Sequence, residues 1–456
     1  MFLSTSLCWV TVGITLLVIA ARLIMSDAER SLLQRGFAWF HAHATVKNIA
    51  TLLTGTALAQ VVSLALSIPL ARLYAPTEYG VLALYQAIVS FLATIAAFRF
   101  DVTVILPEGA AEARTVKSLA TICILITSFI ATGAAIIVAP WVGTIFSSPI
   151  LTWWLPTIGV AVFLMAETTN LQYWLNRSNE YRAIAKNRLT GTVATLLCQL
   201  VLTLLTRTAA GLILGTLLGL AIAYGAAVWR TRDLLAKPDG DSPTLRQMAH
   251  RYRRMPLVNG PNALVDSIRV SGISFLVARV AMSALGQFNL AWRVVQAPVG
   301  MLISAVGQVF LRKLSSTPRG SVYPTVKRSL RGLILVALPV MTIFGVVAPW
   351  LIPFVFGSAW TQAGLISQAL TPWLFVNILS SPLASIYVVT EAQGRLLFFA
   401  IVYCAAPLTL LWLTPWSLVP TIWALSGIMA ILLIIMIVMS VVTARAYDAA
   451  KPSASG

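Results

Sequence analysis

The chain has 456 residues, 59% of them hydrophobic and 10% charged, with a formal net charge of +18 and a mean hydropathy of +0.87. This excludes an ordinary soluble domain, in which about a quarter of the residues are charged. The basic excess does not read as a nucleic-acid surface, because Lys and Arg fill short gaps between long apolar runs; anionic lipid headgroups are the simpler partner.

The apolar runs are, in chain order, 8–25, 49–71, 81–98, 116–140, 151–175, 189–206, 209–229, 257–281, 288–310, 330–354, 363–388, 396–414 and 419–443. A bilayer-spanning helix needs about 20 apolar residues, and hydrocarbon leaves the backbone of such a segment no other partner. Of the 32 Lys and Arg residues, 26 lie in alternate gaps: 26–48, 99–117, 176–188, 230–254, 311–331, 389–395 and the C-terminal tail. The intervening gaps hold only Arg72 and Arg207. Basic loops stay cytoplasmic, so the alternation predicts a multi-pass membrane protein whose core has both ends inside.

The first run stands apart. Residues 1–7 carry no positive charge and no small-residue cleavage site follows, which makes a poor signal peptide. The run reads either as an extra helix that puts the N-terminus outside or as an over-long start, with translation beginning at Met25. Residues 1–47 are accordingly an extra apolar segment with a basic cytoplasmic linker. The other twelve predicted helices form two sets of six, an N-lobe over 48–229 and a C-lobe over 257–445. A basic linker, 230–256, joins them, and a cytoplasmic tail, 446–456, follows.

Residues 70–80, LARLYAPTEYG, and 275–286, FLVARVAMSALG, occupy matching places in the two sets. Each ends its half's first helix with Ala-Arg, then reaches a Gly seven or eight residues on. Six is even, so the halves enter the membrane with the same polarity, as a parallel repeat does. Trp141, Trp153, Trp350, Trp360 and Trp416 fall near run ends on the exported side and read as an interfacial aromatic belt.

Arg269, Arg279 and Arg293 lie within apolar runs. A charged side chain there is costly and ordinarily faces a bundle interior or a watery cavity. Arg279 is a few residues from the exported end, where snorkelling competes with a cavity role. Arg293 is about a turn and a half inside and reads as a cavity residue. Arg269 is near mid-span with Asp266 three residues earlier on the same face, which leaves a structural ion pair open. Its helix begins near Asn259-Gly260-Pro261-Asn262, a combination that breaks helical regularity. Glu167, followed by Thr168, Thr169 and Asn170, reads either as a carboxylate that carries a coupling proton or as a neutral carboxyl bonded to neighbouring helices. Gln60, Ser63 and Ser67 form a mildly polar face. Gly211, Gly215, Gly219 and Ala223 form a small-residue stripe that predicts close helix packing.

Signs of catalysis are missing. His41, His43 and His250 all lie in predicted cytoplasmic gaps, and the exported gaps hold a single acid, Glu78. Asp233, Asp239 and Asp241 read as a solvated linker. Cys8, Cys123, Cys198 and Cys404 lie in apolar runs without metal-ligand spacing. With no P-loop either, neither a catalytic residue nor a metal or cofactor is expected.

The stretch TGTALAQVVSLALSIPLARLYAPTEYGVLALYQAIVSFLATIAAFRFDVTVILPEG, residues 54–109, resembles the opening of bacterial lipid-linked oligosaccharide flippases, the Wzx-type polysaccharide transporters. NLAWRVVQAPVGMLISAVGQVFLRKL at 289–314 and VFGSAW at 355–360 are similar to their second half, and the resemblance covers about residues 48–445. It implies an all-α integral membrane fold of the multidrug/oligosaccharidyl-lipid/polysaccharide exporter superfamily, with two six-helix lobes around a central cavity. It implies an undecaprenyl-pyrophosphate-linked glycan as substrate and the bacterial inner membrane as location, with a polysaccharide polymerase and a chain-length regulator as partners. By position, the cationic cavity of such flippases falls on Arg269, Arg279 and Arg293, and Arg99-Phe100-Asp101 falls at an inner gate; Gln60, of the polar face, is counted with the three arginines as a cavity residue. The competing readings are a small-molecule exporter of the same superfamily and a membrane glycosyltransferase or polysaccharide polymerase.

Overall fold

A computed structural model describes residues 44–232, 243–315, 320–383, 386–387, 393–414 and 417–449. The apolar run at 8–25, the aspartates of the central linker and Trp416 lie outside these residues. Twelve long helices occur among them. The first six are α1 Ala44–Leu73, α2 Pro76–Ala96, α3 Ala110–Ile145, α4 Ile158–Arg177, α5 Tyr181–Leu202 and α6 Ala209–Arg230. The second six are α7 Arg254–Val280, α8 Met282–Ser315, α9 Val322–Phe356, α10 Thr361–Ser380, α11 Gln393–Leu413 and α12 Leu418–Ala449. Most overrun their apolar runs. The 36 residues of α3 reach about 54 Å at 1.5 Å per residue, well beyond a hydrocarbon core of about 30 Å. Among the described residues, seven segments are long and apolar enough to cross a membrane on those grounds alone, which makes this a multi-pass membrane protein.

Within the first six helices, small and polar residues fix the packing. A Cβ added at Gly215 would lie 2.7 Å from the Gln199 backbone nitrogen, and one at Gly191 would lie 2.9 Å from the Ala223 Cβ. The α6 stripe therefore seats α5 at a distance that larger side chains forbid. The buried Gln199 closes this contact by donating to Leu212 O at 3.1 Å and to Thr216 Oγ1 at 3.0 Å. Glu78, in the first turn of α2, accepts from the backbone N–H of Ala209 at the start of α6, where the helix dipole favours a carboxylate. In the second six, Asp448 accepts from the backbone N–H groups of Gly320, Val322 and Tyr323, which caps the start of α9.

The two lobes meet where the sequence repeat lies. Gly80 is four residues into α2 and Gly286 four residues into α8. A methyl group at Gly80 would overlap the carbonyl of Met282, the first residue of α8, and one at Gly286 would overlap the carbonyl of Pro76, the first residue of α2. Each glycine thus admits the first turn of the opposite helix. Around this crossing, Arg72 donates to Phe354 O and Val355 O, both at 2.9 Å. Its guanidinium fork neutralises the carbonyl end of α9, which accounts for a basic residue in a gap that otherwise lacks them.

Trp360 departs from the expected aromatic belt. Trp141, Trp153 and Trp350 are exposed as a belt requires, but Trp360 is fully buried. Its indole donates to Ala71 O at 2.7 Å and meets Tyr79 edge-on, with ring centroids 5.1 Å apart. Gly357 makes this turn possible. Its φ of +107° lies where a side chain is strained, and it sends Ser358–Trp360 back across the lobe boundary. Hydropathy alone placed Trp360 at the interface; the chain reversal carries it inward.

Candidate functional site

Among the described residues, two cavities lie between the lobes. The first, 260 Å³ in volume, is lined by Gln60, Ser63 and Leu64 of α1 and by Asn289, Trp292, Arg293, Gln296 and Ala297 of α8. α8 begins at Met282 rather than near residue 288. Arg293 is therefore about 16 Å along the helix at 1.5 Å per residue, further from its start than the apolar run suggested. Among the described residues Arg293 has no ion pair and no hydrogen bond. The side-chain oxygens of Gln60 and Gln296 are buried and equally without partners. A guanidinium only donates and an amide oxygen only accepts. Buried polar groups are ordinarily satisfied, so the cavity matches a ligand bearing both anionic oxygens and hydroxyl groups.

The second cavity, 190 Å³ in volume, lies between α2, α7, α8 and α10 and shares Asn289 and Trp292 with the first. Arg269 reaches it with its side chain 14% exposed, bonded to Asp266 Oδ1 at 2.6 Å. Its guanidinium lies over the Tyr403 ring, 5.0 Å from the centroid. Arg279 joins neither cavity. It is exposed at the end of α7, stacked over Trp412 at 4.4 Å. Of the three intramembrane arginines, the structure brings Arg269 and Arg293 to adjoining cavities and sets Arg279 apart.

Glu167 lies within the first lobe, buried between α3 and α4. Its Oε1 is 2.6 Å from Lys117 Nζ, and both carboxylate oxygens accept from the Thr121 hydroxyl, at 3.0 and 3.1 Å. The Asn170 amide donates to Oε2 at 3.1 Å. Lys117 was legible only as the last basic residue of a cytoplasmic gap; its spacing of four from Thr121 is the signal that puts it on the face of α3 toward α4. Removing one partner of a buried pair costs about 3–5 kcal/mol, because the other charge is stranded. Lys117→Met should therefore lower membrane abundance sharply, and the double variant Lys117→Met/Glu167→Gln should recover most of it. Immunoblotting of membrane fractions checks this; equal abundance of the single variant and wild type would mean that the pair is dispensable.

Arg99 and Asp101 flank a sharp turn. Phe98 and Arg99 adopt φ of +46° and +63°, and the short helix Phe100–Thr103 then leads toward α3 and touches α7 of the other lobe. Asp101 is buried with Oδ1 unpartnered. Burial pushes its carboxyl above the usual range, partly offset by the backbone N–H of Val102 and by Arg99.

Sequence reasoning did not single out Gln86, Ser90, Asn289, Trp292 or Gln296. Gln60 and Arg293 were visible because they interrupt apolar runs. The others are uncharged residues within helices, where polarity alone does not separate a cavity wall from a helix contact.

A family model described as "Polysaccharide biosynthesis protein" matches residues 69–364. A search of curated proteins finds no match. Among solved structures, the chain is similar to a lipid II flippase, MurJ, in an inward closed conformation. The TM-score is 0.67 at 15% identity, covering 86% of this chain and 87% of that one. It is also similar to a multidrug resistance MATE family transporter of the MOP superfamily. The inward-facing form aligns with a TM-score of 0.59 at 14% identity, covering 88% and 100% of the two chains. The outward-facing form gives 0.55 at 14%, covering 90% and 97%. These likenesses establish the fold.

Proposed function

Because the chain belongs to the polysaccharide biosynthesis protein family, we propose that it flips polyprenyl-pyrophosphate-linked oligosaccharides. Transport runs from the inner to the outer leaflet of a bacterial inner membrane, by alternating access, for cell-surface polysaccharide biosynthesis. The observation that carries this reading is the unpaired Arg293 beside the unpartnered oxygens of Gln60 and Gln296. A pyrophosphate offers acceptor oxygens that an arginine fork binds bidentately, and sugar hydroxyls supply donors to the amides. The lipid tail stays in the bilayer while the headgroup crosses between the lobes. Arg99 and Asp101 belong, on this reading, to the inner gate, and a polysaccharide polymerase with its chain-length regulator receives the product.

A multidrug-type exporter is less well matched. Cationic drugs favour an acidic cavity, and none of the described residues lining the two inter-lobe cavities is acidic. Asp266 and Glu167 are the candidates for ion coupling, yet each is already held by a cation, Arg269 and Lys117 respectively. A glycosyltransferase or polymerase would be expected to carry more exported acid than Glu78. Depletion of the protein, followed by mass spectrometry of polyprenyl-linked intermediates, tests the proposal. One lipid-linked glycan should accumulate; an unchanged lipid profile together with altered drug sensitivity would favour the exporter.

A further inference from the structure

We propose that the 190 Å³ cavity is a sugar subsite, holding the pyranose ring attached directly to the pyrophosphate. This rests on the flippase reading and assigns a neighbouring place for the next chemical group of the same ligand. The two cavities share Asn289 and Trp292, so a group one bond beyond a phosphate at Arg293 has this space next to it. The cavity is smaller than the roughly 300–1,000 Å³ of a site for a drug-sized ligand, which fits one ring and not an oligosaccharide.

Its chemistry is that of a neutral, hydroxylated ring. Gln86 and Ser90 of α2 and Asn289 of α8 line it, and no hydrogen bond to their side chains occurs among the described residues. Amides and hydroxyls both donate and accept, as the hydroxyls of a sugar require. Aromatic rings from α8 and α10 form one part of the remaining wall, beside small and aliphatic residues of α2 and α7. Trp292 stacks with Phe288 at 6.2 Å, and its centroid lies 5.1 Å from that of Trp373, whose indole donates to the Tyr403 hydroxyl at 2.8 Å. Such a wall accepts the apolar C–H face of a ring while the polar groups orient its edge. The cation present is already neutralised, because Arg269 is paired with Asp266 and stacked on Tyr403. That argues against a second phosphate here and leaves the charge recognition to Arg293.

The test is binding of defined lipids to the purified full-length protein in nanodiscs. The probes are undecaprenyl pyrophosphate alone and the same lipid carrying glucose, galactose or N-acetylglucosamine. Wild type should bind at least one sugar-bearing lipid about tenfold more tightly than the bare one. Gln86→Ala and Ser90→Ala should each erode that preference by about 3- to 10-fold, the worth of one or two lost hydrogen bonds, with affinity for the bare lipid unchanged as a control for folding. Arg293→Ala should weaken both classes of probe alike. If all probes bind wild type equally, or if neither α2 variant alters the preference, the sugar subsite is overturned while the cationic site stands. If wild type binds none of the lipids, the flippase reading and the subsite fall together.

Discussion

Gly80→Val is expected to abolish transport while the protein remains in the membrane at near-normal abundance. Gly286→Val should do the same. In each case the added side chain would overlap a backbone carbonyl, of Met282 or of Pro76, and a carbonyl in the first turn of a helix cannot rotate out of the way. Overpacking of this kind costs about 1–3 kcal/mol, enough to shift a two-state equilibrium by about 5- to 150-fold. The cost falls only on the state in which the exported ends of α2 and α8 are crossed. The variant should therefore rest with that side open. A single cysteine at Ser63, with the native cysteines replaced, should react faster with an impermeant thiol reagent outside intact cells in the Gly80→Val background than in the wild-type background. Normal transport together with an unchanged rate of Ser63 labelling would show that the crossing is not a gate.

Arg293→Ala should lower glycan export about 10- to 150-fold, the equivalent of about 1.5–3 kcal/mol for hydrogen bonds to a charged group. Membrane abundance should change little, since no described partner is stranded by its removal. Arg293→Lys should restore only part of the activity, because an ammonium keeps the charge but loses the bidentate fork. A structural arginine gives the opposite pattern, with the Ala variant degraded or misinserted. Export and abundance must be read on the same cells. Full export by a normally abundant Arg293→Ala protein would falsify the cationic-site assignment.

Much of the architecture was legible because the bilayer imposes it. Length and hydropathy place the helices, since a spanning backbone has few alternatives, and each of the twelve core runs found its helix. The runs understate helix length, as at α8, because helices continue past the hydrocarbon into headgroups and lobe contacts. The Ala-Arg…Gly repeat was visible in sequence, but its physical meaning was not. Reciprocal packing of Gly80 and Gly286 against opposing helix starts depends on how the lobes cross, which no local pattern encodes.

The candidate site was half legible. Charges inside apolar runs announce themselves, so Arg269 and Arg293 stood out. Arg279 stood out equally, although it sits at the rim over Trp412; depth along a helix does not reveal which way a side chain turns. Trp360 read as an interfacial residue for the same reason. Lys117 shows the converse, a residue that reads as part of a basic loop yet ends beside a buried carboxylate. The neutral residues Gln86, Ser90 and Gln296 carry no signal until the tertiary structure sets them around one space.

On the proposed function, a lipid-linked glycan moves through a cationic inter-lobe cavity. The most direct measurement is flipping in proteoliposomes that contain the purified protein and undecaprenyl-pyrophosphate-linked oligosaccharide isolated from depleted cells. Accessibility of the glycan to an impermeant hydrolase reports the leaflet. Wild-type protein should render the lipid in the initially protected leaflet accessible, and Arg293→Ala at equal reconstitution should be slower by the factor given above. Equal rates in protein-free, wild-type and Arg293→Ala vesicles would contradict the account.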